Sequence, residues 1–334
     1  MKSKFMLLFA VIPLFFSCKE KKEASLSFMA MDTFMTLKCQ GEYPEEVNLQ
    51  VKETIESLDQ SLSVTLPGSD FYRLNSAENF PVEVGEDAVS LLNLSVKYSE
   101  LSRGAFDITL YPVMKEWGFT NGNYHVPAAE TIESLLKKVD YKKIKTHGNS
   151  VTLEKGQMVD PGAIGKGLAG DKAIEIYKSK GVKSAMVDLG GNIQLLGKNP
   201  RGRDWLIGLR NPWGGEPVLG LKVHDCAVIT SGGYERHFIA DDGKKYIHIF
   251  DPETGCPVDN SLVSVTVVAD TGAFADALST ALFVMGQEKA QSFWKEHGDF
   301  QMLIITEDRK LIYTAGLKDK IIIHEDFSSV QVLD

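Results

Sequence analysis

Ala273-Phe274-Ala275-Asp276-Ala277-Leu278-Ser279-Thr280-Ala281-Leu282-Phe283-Val284-Met285 is a run of small and apolar residues that carries one carboxylate and two hydroxyls. It predicts a buried helix, on which Thr280 lies one turn beyond Asp276 on the same face. An ionised carboxylate on an apolar helix face has to be paired, neutralised or bound to a metal. Carboxylate and hydroxyl oxygens on adjacent turns are hard ligands that suit Mg²⁺ better than zinc or copper. The other reading of the stretch is an aspartate that caps a neighbouring loop.

Outward from this helix, the spacing of apolar residues predicts an amphipathic helix over Glu45–Ser63, with Val47, Val51, Ile55, Leu58 and Leu62 on one face. A second helix runs from Glu86 to Leu101 and is ended by Arg103-Gly104. Phe28–Cys39 reads as a strand with Met31-Asp32-Thr33 in its first half, and Pro67-Gly68-Ser69-Asp70 as a turn. Further strands are expected at Val151–Leu153, Met158-Val159, Ser184–Val187, Trp205–Arg210, Val218–Val223, Ala227–Thr230, Tyr246–Phe250 and Val263–Val268. Gln301–Ile305 and Leu311–Ala315 form an expected hairpin. Strands and helices are grouped more than alternated, which indicates an α+β class rather than a doubly wound one. The pattern fits one large domain over residues 28–334 with mixed, mainly antiparallel strands and packed helices.

The N-terminus reads differently. Lys2 and Lys4 precede an apolar stretch from Phe5 to Phe16, broken by Pro13, and Ser17 precedes Cys18. The stretch is too short to span a bilayer and reads as a secretory signal over residues 1–17. A small residue before a cysteine at that point resembles a bacterial lipobox, so Cys18 is the expected lipidation site and residues 18–27 the expected tether. The implied location is the bacterial cell envelope, lipid-anchored, on the periplasmic or another extracytoplasmic face. Removal of residues 1–17 takes away two lysines and no acid, leaving 45 acidic residues against 34 basic ones and a net charge of −11. That balance argues against nucleic acid as a partner. Cys39, Cys226 and Cys256 remain, an odd number without a CxxC pair, which argues against a disulfide framework or a zinc site.

Asp160–Gly167 is a glycine-rich turn expected to lead from a strand into a helix that ends near Lys180. Gly165-Lys166-Gly167-Leu168-Ala169-Gly170 matches GxGxxG, with Asp188 downstream. The unit sits mid-chain without further strand–helix pairs, and Lys166 is followed by Gly167 rather than Ser or Thr, so both Rossmann and Walker A assignments fail. The physics beneath them remains: glycines let a turn expose backbone amides, and a helix N-terminus favours an anion. Lys166 adds charge, and Asp160 could accept from ring nitrogens or ribose hydroxyls. The stretch Ile229–Arg236, with Ser231-Gly232-Gly233, reads as a second backbone-donor loop. His248, expected on a strand face with Tyr246 and Phe250, is either a core histidine or a proton-transfer group. No GxSxG elbow supports a Ser-His-Asp hydrolase.

Taken in order, these segments resemble the FAD:protein FMN transferases, the ApbE-type flavin transferases. The resemblance rests on Met31–Thr33; Ser63 through Ser69 to Asn75; Gly104–Thr109 leading to Trp117-Gly118-Phe119; Asp160 through Lys166-Gly167 to Asp171; Asp188–Asn192; Thr230-Ser231-Gly232 with Tyr234-Glu235-Arg236; His248 with Asp251-Pro252; and Asp276 with Thr280. It implies a T-fold-like flavin-transferase domain that binds FAD with Mg²⁺ and moves the FMN half onto a Thr or Ser hydroxyl of an envelope redox protein, releasing AMP. It further implies that Asp276, Thr280 and the Ala163 carbonyl hold Mg²⁺. Met31, Ala105, Phe106, Asp107, Asp160, Lys166 and Ile249 would line the FAD pocket, and His248 would be the catalytic residue. Asp32 stands where the family usually has glycine, and Thr65 where a tyrosine is common. The alternatives kept at this stage are a Mg²⁺-dependent FAD pyrophosphatase and a non-catalytic FAD-binding lipoprotein.

Overall fold

Leu262–Ala269 is buried along nearly its whole length because both of its faces are covered: Val265 and Val267 face one core and Val268 another. The computed structural model describes residues 22–334. This strand lies inside a nine-stranded sheet. In chain order its strands are β1 (Lys22–Ala30), β2 (Thr33–Gly41), β3 (Ser184–Leu189), β4 (Ile193–Leu196), β5 (Ala227–Gly232), β6 (Leu262–Ala269), β7 (Gln301–Thr306), β8 (Lys310–Thr314) and β9 (Ser329–Leu333). Their order in space is their order in the chain. Neighbours are antiparallel throughout, except that β8 and β9 run parallel.

Helices occupy two of the connections. Between β2 and β3 come α1 (Pro44–Leu62), α2 (Asp70–Ser76), α3 (Glu86–Leu101), α4 (Tyr111–Glu116), α5 (Ala129–Leu136) and α6 (Gly165–Ser179); between β6 and β7 comes α7 (Gly272–His297). α1, α6 and α7 cover the sheet face that presents Met35, Leu37, Val187, Ile229, Val267 and Ile304. α1 does so with Val51, Ile55, Leu58 and Leu62, each about 1.5–3 kcal/mol of burial. The opposite face is covered by a three-stranded antiparallel sheet, Trp205–Leu209, Leu219–Val223 and Ile321–Ile323, packed on Leu195, Val228, Leu303 and Leu311. The class is α+β with a mainly antiparallel sheet, as the grouping of elements indicated.

Several expected boundaries are corrected. The expected secretory signal and Cys18 fall outside the described residues. Residues 22–27 of the expected tether belong to β1, where Ala24, Leu26 and Phe28 alternate with charged or small residues that stay exposed. The strand expected over Phe28–Cys39 is a hairpin that turns at Met31-Asp32, both at positive φ (46° and 57°), as two-residue hairpin turns of the primed type require. Met158-Val159 is not a strand, because the Asn75 side chain bonds both the N–H and the carbonyl of Val159 at 2.8 Å in place of a neighbouring strand. The strand expected over Tyr246–Phe250 is interrupted at His248-Ile249, between short strands Lys245–Ile247 and Phe250-Asp251. Past the turn at Pro67–Asp70, Ser69 caps the unforeseen α2 by accepting from the Tyr72 N–H.

α7 is the buried helix that its sequence indicated. Its apolar run stops where Gly286 takes non-helical angles (φ 73°, ψ 173°), one residue after Met285.

Candidate active site

Two helix starts meet backbone to backbone beneath the sheet's helical face. A Cβ on Gly167 would lie 2.3 Å from the Gly272 carbonyl oxygen, and one on Gly272 would lie 1.7 Å from Gln194 Nε2. Gln194, buried on β4, donates to the Gly167 carbonyl at 2.8 Å. Asp171 accepts from the N–H groups of Gly272 (2.6 Å) and Ala273 (2.9 Å), capping α7 from α6. The glycines of the 165–170 stretch thus serve close packing. The Gly167 amide, expected to be exposed for an anion, donates instead to Asp276 Oδ2 at 2.8 Å.

Asp276 is buried, and burial pushes its carboxyl up to about 6 against the pull of the Lys166 ammonium and the Gly167 N–H. On its own helix and on the neighbouring strand end, hydroxyl oxygens come together. Thr280 Oγ1 is one turn on and 3.1 Å from Ser231 Oγ at the end of β5, which also meets Ser279 Oγ at 2.8 Å. The Ala163 carbonyl precedes α6 and accepts no hydrogen bond among the described residues, because the Gly167 amide that would reach it in a regular helix is bonded to Asp276. Asn192 is 3% exposed with neither amide atom partnered. No cluster of three or more His, Cys, Asp or Glu side chains that could hold a metal occurs among the described residues. The set therefore fits a hard cation shared with a ligand's own oxygens, the way Mg²⁺ is usually held, and does not fit zinc or copper.

His248 ends the short strand Lys245–Ile247. Its N–H donates to the Arg236 carbonyl at 3.1 Å, and Nδ1 meets the same oxygen at 3.1 Å. A carbonyl only accepts, so Nδ1 carries the proton of the neutral ring and Nε2 keeps its lone pair. The ring is half-buried. Burial, then the Arg236 guanidinium and the Lys166 ammonium, hold its pKa down to about 4. Lys166 thus acts electrostatically on both His248 and Asp276. Arg236 links His248 to Asp160, whose carboxyl is raised by burial, accepts from the Gly162 N–H at 2.6 Å and is eased by that guanidinium. The guanidinium also donates to the Phe119 carbonyl.

Hydrogen bonds and electrostatic interactions link Asp276, Thr280, Lys166, Asp160 and His248, and Ala163 lies between Asp160 and Lys166 in the chain. The remaining expected residues play visible local parts. Asp107 accepts from Thr109 N–H (2.8 Å) and Oγ1 (2.6 Å) and from Tyr141 N–H (3.2 Å), while the Asp160 N–H donates to the Ile108 carbonyl. Ala105 is half-buried beside them, and the Phe106 ring and the Ile249 side chain lie inside the main core. Met31 sits at the β1–β2 turn, two residues before Thr33, which abuts Gly190.

Residues 31–304 match the family model described as the ApbE family. The chain belongs to the ApbE family. This ApbE-family chain is 32% identical over 323 residues to the FAD:protein FMN transferase of Treponema pallidum, covering 90% of the chain and 89% of that protein. It is 30% identical to the enzyme of the same name from Haemophilus influenzae, over 88% and 90% of the two chains. Among solved structures, the ApbE protein of Thermotoga maritima superposes with a TM-score of 0.80 at 32% identity, covering 86% of this chain and 95% of that one. The flavin transferase ApbE of Vibrio cholerae does so with a TM-score of 0.80 at 26% identity. Asp171, Asn192 and Arg236 stand in the motifs of the resemblance, where they were given no role, and Gln194 was not named from sequence. Gln194 left one signal, a polar side chain inside the apolar strand Ile193–Leu196.

Proposed function

We propose that this chain transfers the FMN half of FAD to a Thr or Ser hydroxyl of an acceptor protein in a Mg²⁺-dependent step. Flavin transfer is the activity named for the relatives above. The observation that carries the finer reading is the pairing of a carboxylate and hydroxyl corner at Asp276 with a neutral imidazole at His248, joined by the Lys166 charge. Asp276, Thr280 and the Ala163 carbonyl would hold the ion, which when bound neutralises charge on the pyrophosphate oxygens. Lys166 adds a second positive charge at the same phosphates. His248 Nε2 accepts the proton of the acceptor hydroxyl. The hydroxyl oxygen bonds to the FMN phosphorus, the bridging P–O bond breaks, and AMP leaves with the electron pair. Lys2, Lys4, the apolar stretch and Ser17-Cys18 support an enzyme lipid-anchored outside the cytoplasm, working on an envelope redox protein.

The test mixes the protein with FAD, Mg²⁺ and a Thr-containing acceptor domain and follows mass. A gain of one FMN on the acceptor with equimolar AMP is the expected result. AMP and free FMN without an adduct would make the chain a pyrophosphatase, and intact bound FAD would make it a flavin-binding protein.

A further inference from the structure

Asn192 stands apart from the other buried polar residues in place and in partners. It is 3% exposed, and both its amide nitrogen and its amide oxygen lack a hydrogen-bond partner. A buried amide left unpaired costs on the order of 1–3 kcal/mol, so it persists where a further partner belongs. The backbone around it is firmly built. The Leu189 N–H donates to the Asn192 carbonyl at 2.9 Å, the Gly191 N–H donates to Asp188 Oδ1 at 2.8 Å, and Gly190 and Gly191 both hold positive φ.

Its position follows from periodicity. Gln194 and Asn192 are two residues apart and share a face of the strand and the turn before it. Gln194 lies against the first residue of α7, Gly272. Two strand residues advance about 6.6 Å and one helical turn about 5.4 Å, a spacing that lets Asn192 meet the next turn of α7, which carries Asp276. The Asn192 side chain is also close enough to Asp276 to favour its ionised form. Of the two Asp276 oxygens, the recorded bond to Gly167 uses Oδ2.

We propose that Asn192 is a positioning residue for Asp276: its amide donates to the carboxylate that Gly167 holds on one side and fixes that carboxylate toward a divalent cation. This rests on the Mg²⁺ reading given above. Carboxylates that bind metals are themselves hydrogen-bonded, and loss of such an outer partner typically costs 10–100-fold in metal affinity.

The experiment compares the wild-type protein with Asn192→Leu, which keeps the side-chain shape without its polar atoms, and Asn192→Ser, which is too short to reach Asp276. Calorimetry measures Mg²⁺ uptake in the presence of FAD. Assays measure the half-saturating Mg²⁺ concentration and the rate at saturation. Both variants should lose about tenfold or more in Mg²⁺ affinity and raise half-saturation by the same factor, with less than about a threefold change in the saturated rate. The melting temperature of each variant without ligand shows whether it remains folded. Unchanged Mg²⁺ affinity in a folded variant overturns the proposal, as does a lower melting temperature with wild-type Mg²⁺ affinity. If the wild-type protein itself takes up no Mg²⁺ with FAD, the Mg²⁺ reading falls, and this inference with it.

Discussion

The Gly167 N–H reaches Asp276 Oδ2 at 2.8 Å only because nothing but backbone separates the starts of α6 and α7. Gly167→Ala would place a methyl group 2.3 Å from the Gly272 carbonyl oxygen, and fixed backbone cannot yield as a flexible side chain can. The variant should lose about 2–4 kcal/mol of stability in urea titrations and bind Mg²⁺ more weakly. Wild-type stability would show that the helices separate without cost.

Asp276 works against the stability of the ligand-free protein. Its carboxyl is raised from 3.8 to about 6, so the folded state binds more protons than the unfolded state in that window. The destabilisation is therefore absent below pH 3.8, grows as pH rises and is complete above about pH 6. Asp276→Asn keeps an acceptor for the Gly167 N–H and removes the charge. It should stabilise the ligand-free protein by about 2–3 kcal/mol at pH 7.5, gain little near pH 4, and abolish metal-dependent turnover. Matched denaturant curves at the two pH values decide this; a destabilised variant at pH 7.5 would contradict the raised pKa.

Asp32 holds φ 57° in the β1–β2 turn, a left-handed conformation that costs a residue with a Cβ about 1 kcal/mol. Its carboxylate is exposed. Asp32→Gly should therefore raise stability by about 0.5–1 kcal/mol, read as a higher melting temperature with FAD affinity unchanged. A fall in FAD affinity would show that Asp32 itself touches the flavin.

The sheet and the long helices were legible because burial imposes period: α1 spaces Val47, Val51, Ile55, Leu58 and Leu62 on one face, and α7 announces itself by its greasy run. Asp276 was legible because an acid in that run contradicts its surroundings. What stayed hidden depends on partners far along the chain. Asn75 substitutes for a strand at Val159, 84 residues away, and nothing local marks it. The GxGxxG match looked like a phosphate turn because glycines that free a backbone and glycines that admit a neighbour are written alike; Gly272, 105 positions after Gly167, tells them apart. The break at His248-Ile249 escaped notice because its flanks alternate as a strand would.

His248 is held near 4 partly by the Arg236 guanidinium, so the wild-type ring is neutral across pH 5–8. Arg236→Met keeps the apolar stem and removes the charge, and the imidazole pKa should rise toward 6.5 in an NMR titration. The backbone carbonyl that receives His248 Nδ1 survives the substitution, so Nε2 stays the free base at pH 8. Transfer by Arg236→Met should therefore match the wild type most closely at pH 8 and fall behind it as pH drops toward 5. His248→Gln should leave FAD binding within about threefold and slow transfer by about 10²–10⁴-fold at every pH, the usual worth of a general base. If Arg236→Met leaves the imidazole titration unmoved, the guanidinium does not set the base. If His248→Gln abolishes FAD binding, the ring is a pocket wall rather than the group that takes the hydroxyl proton.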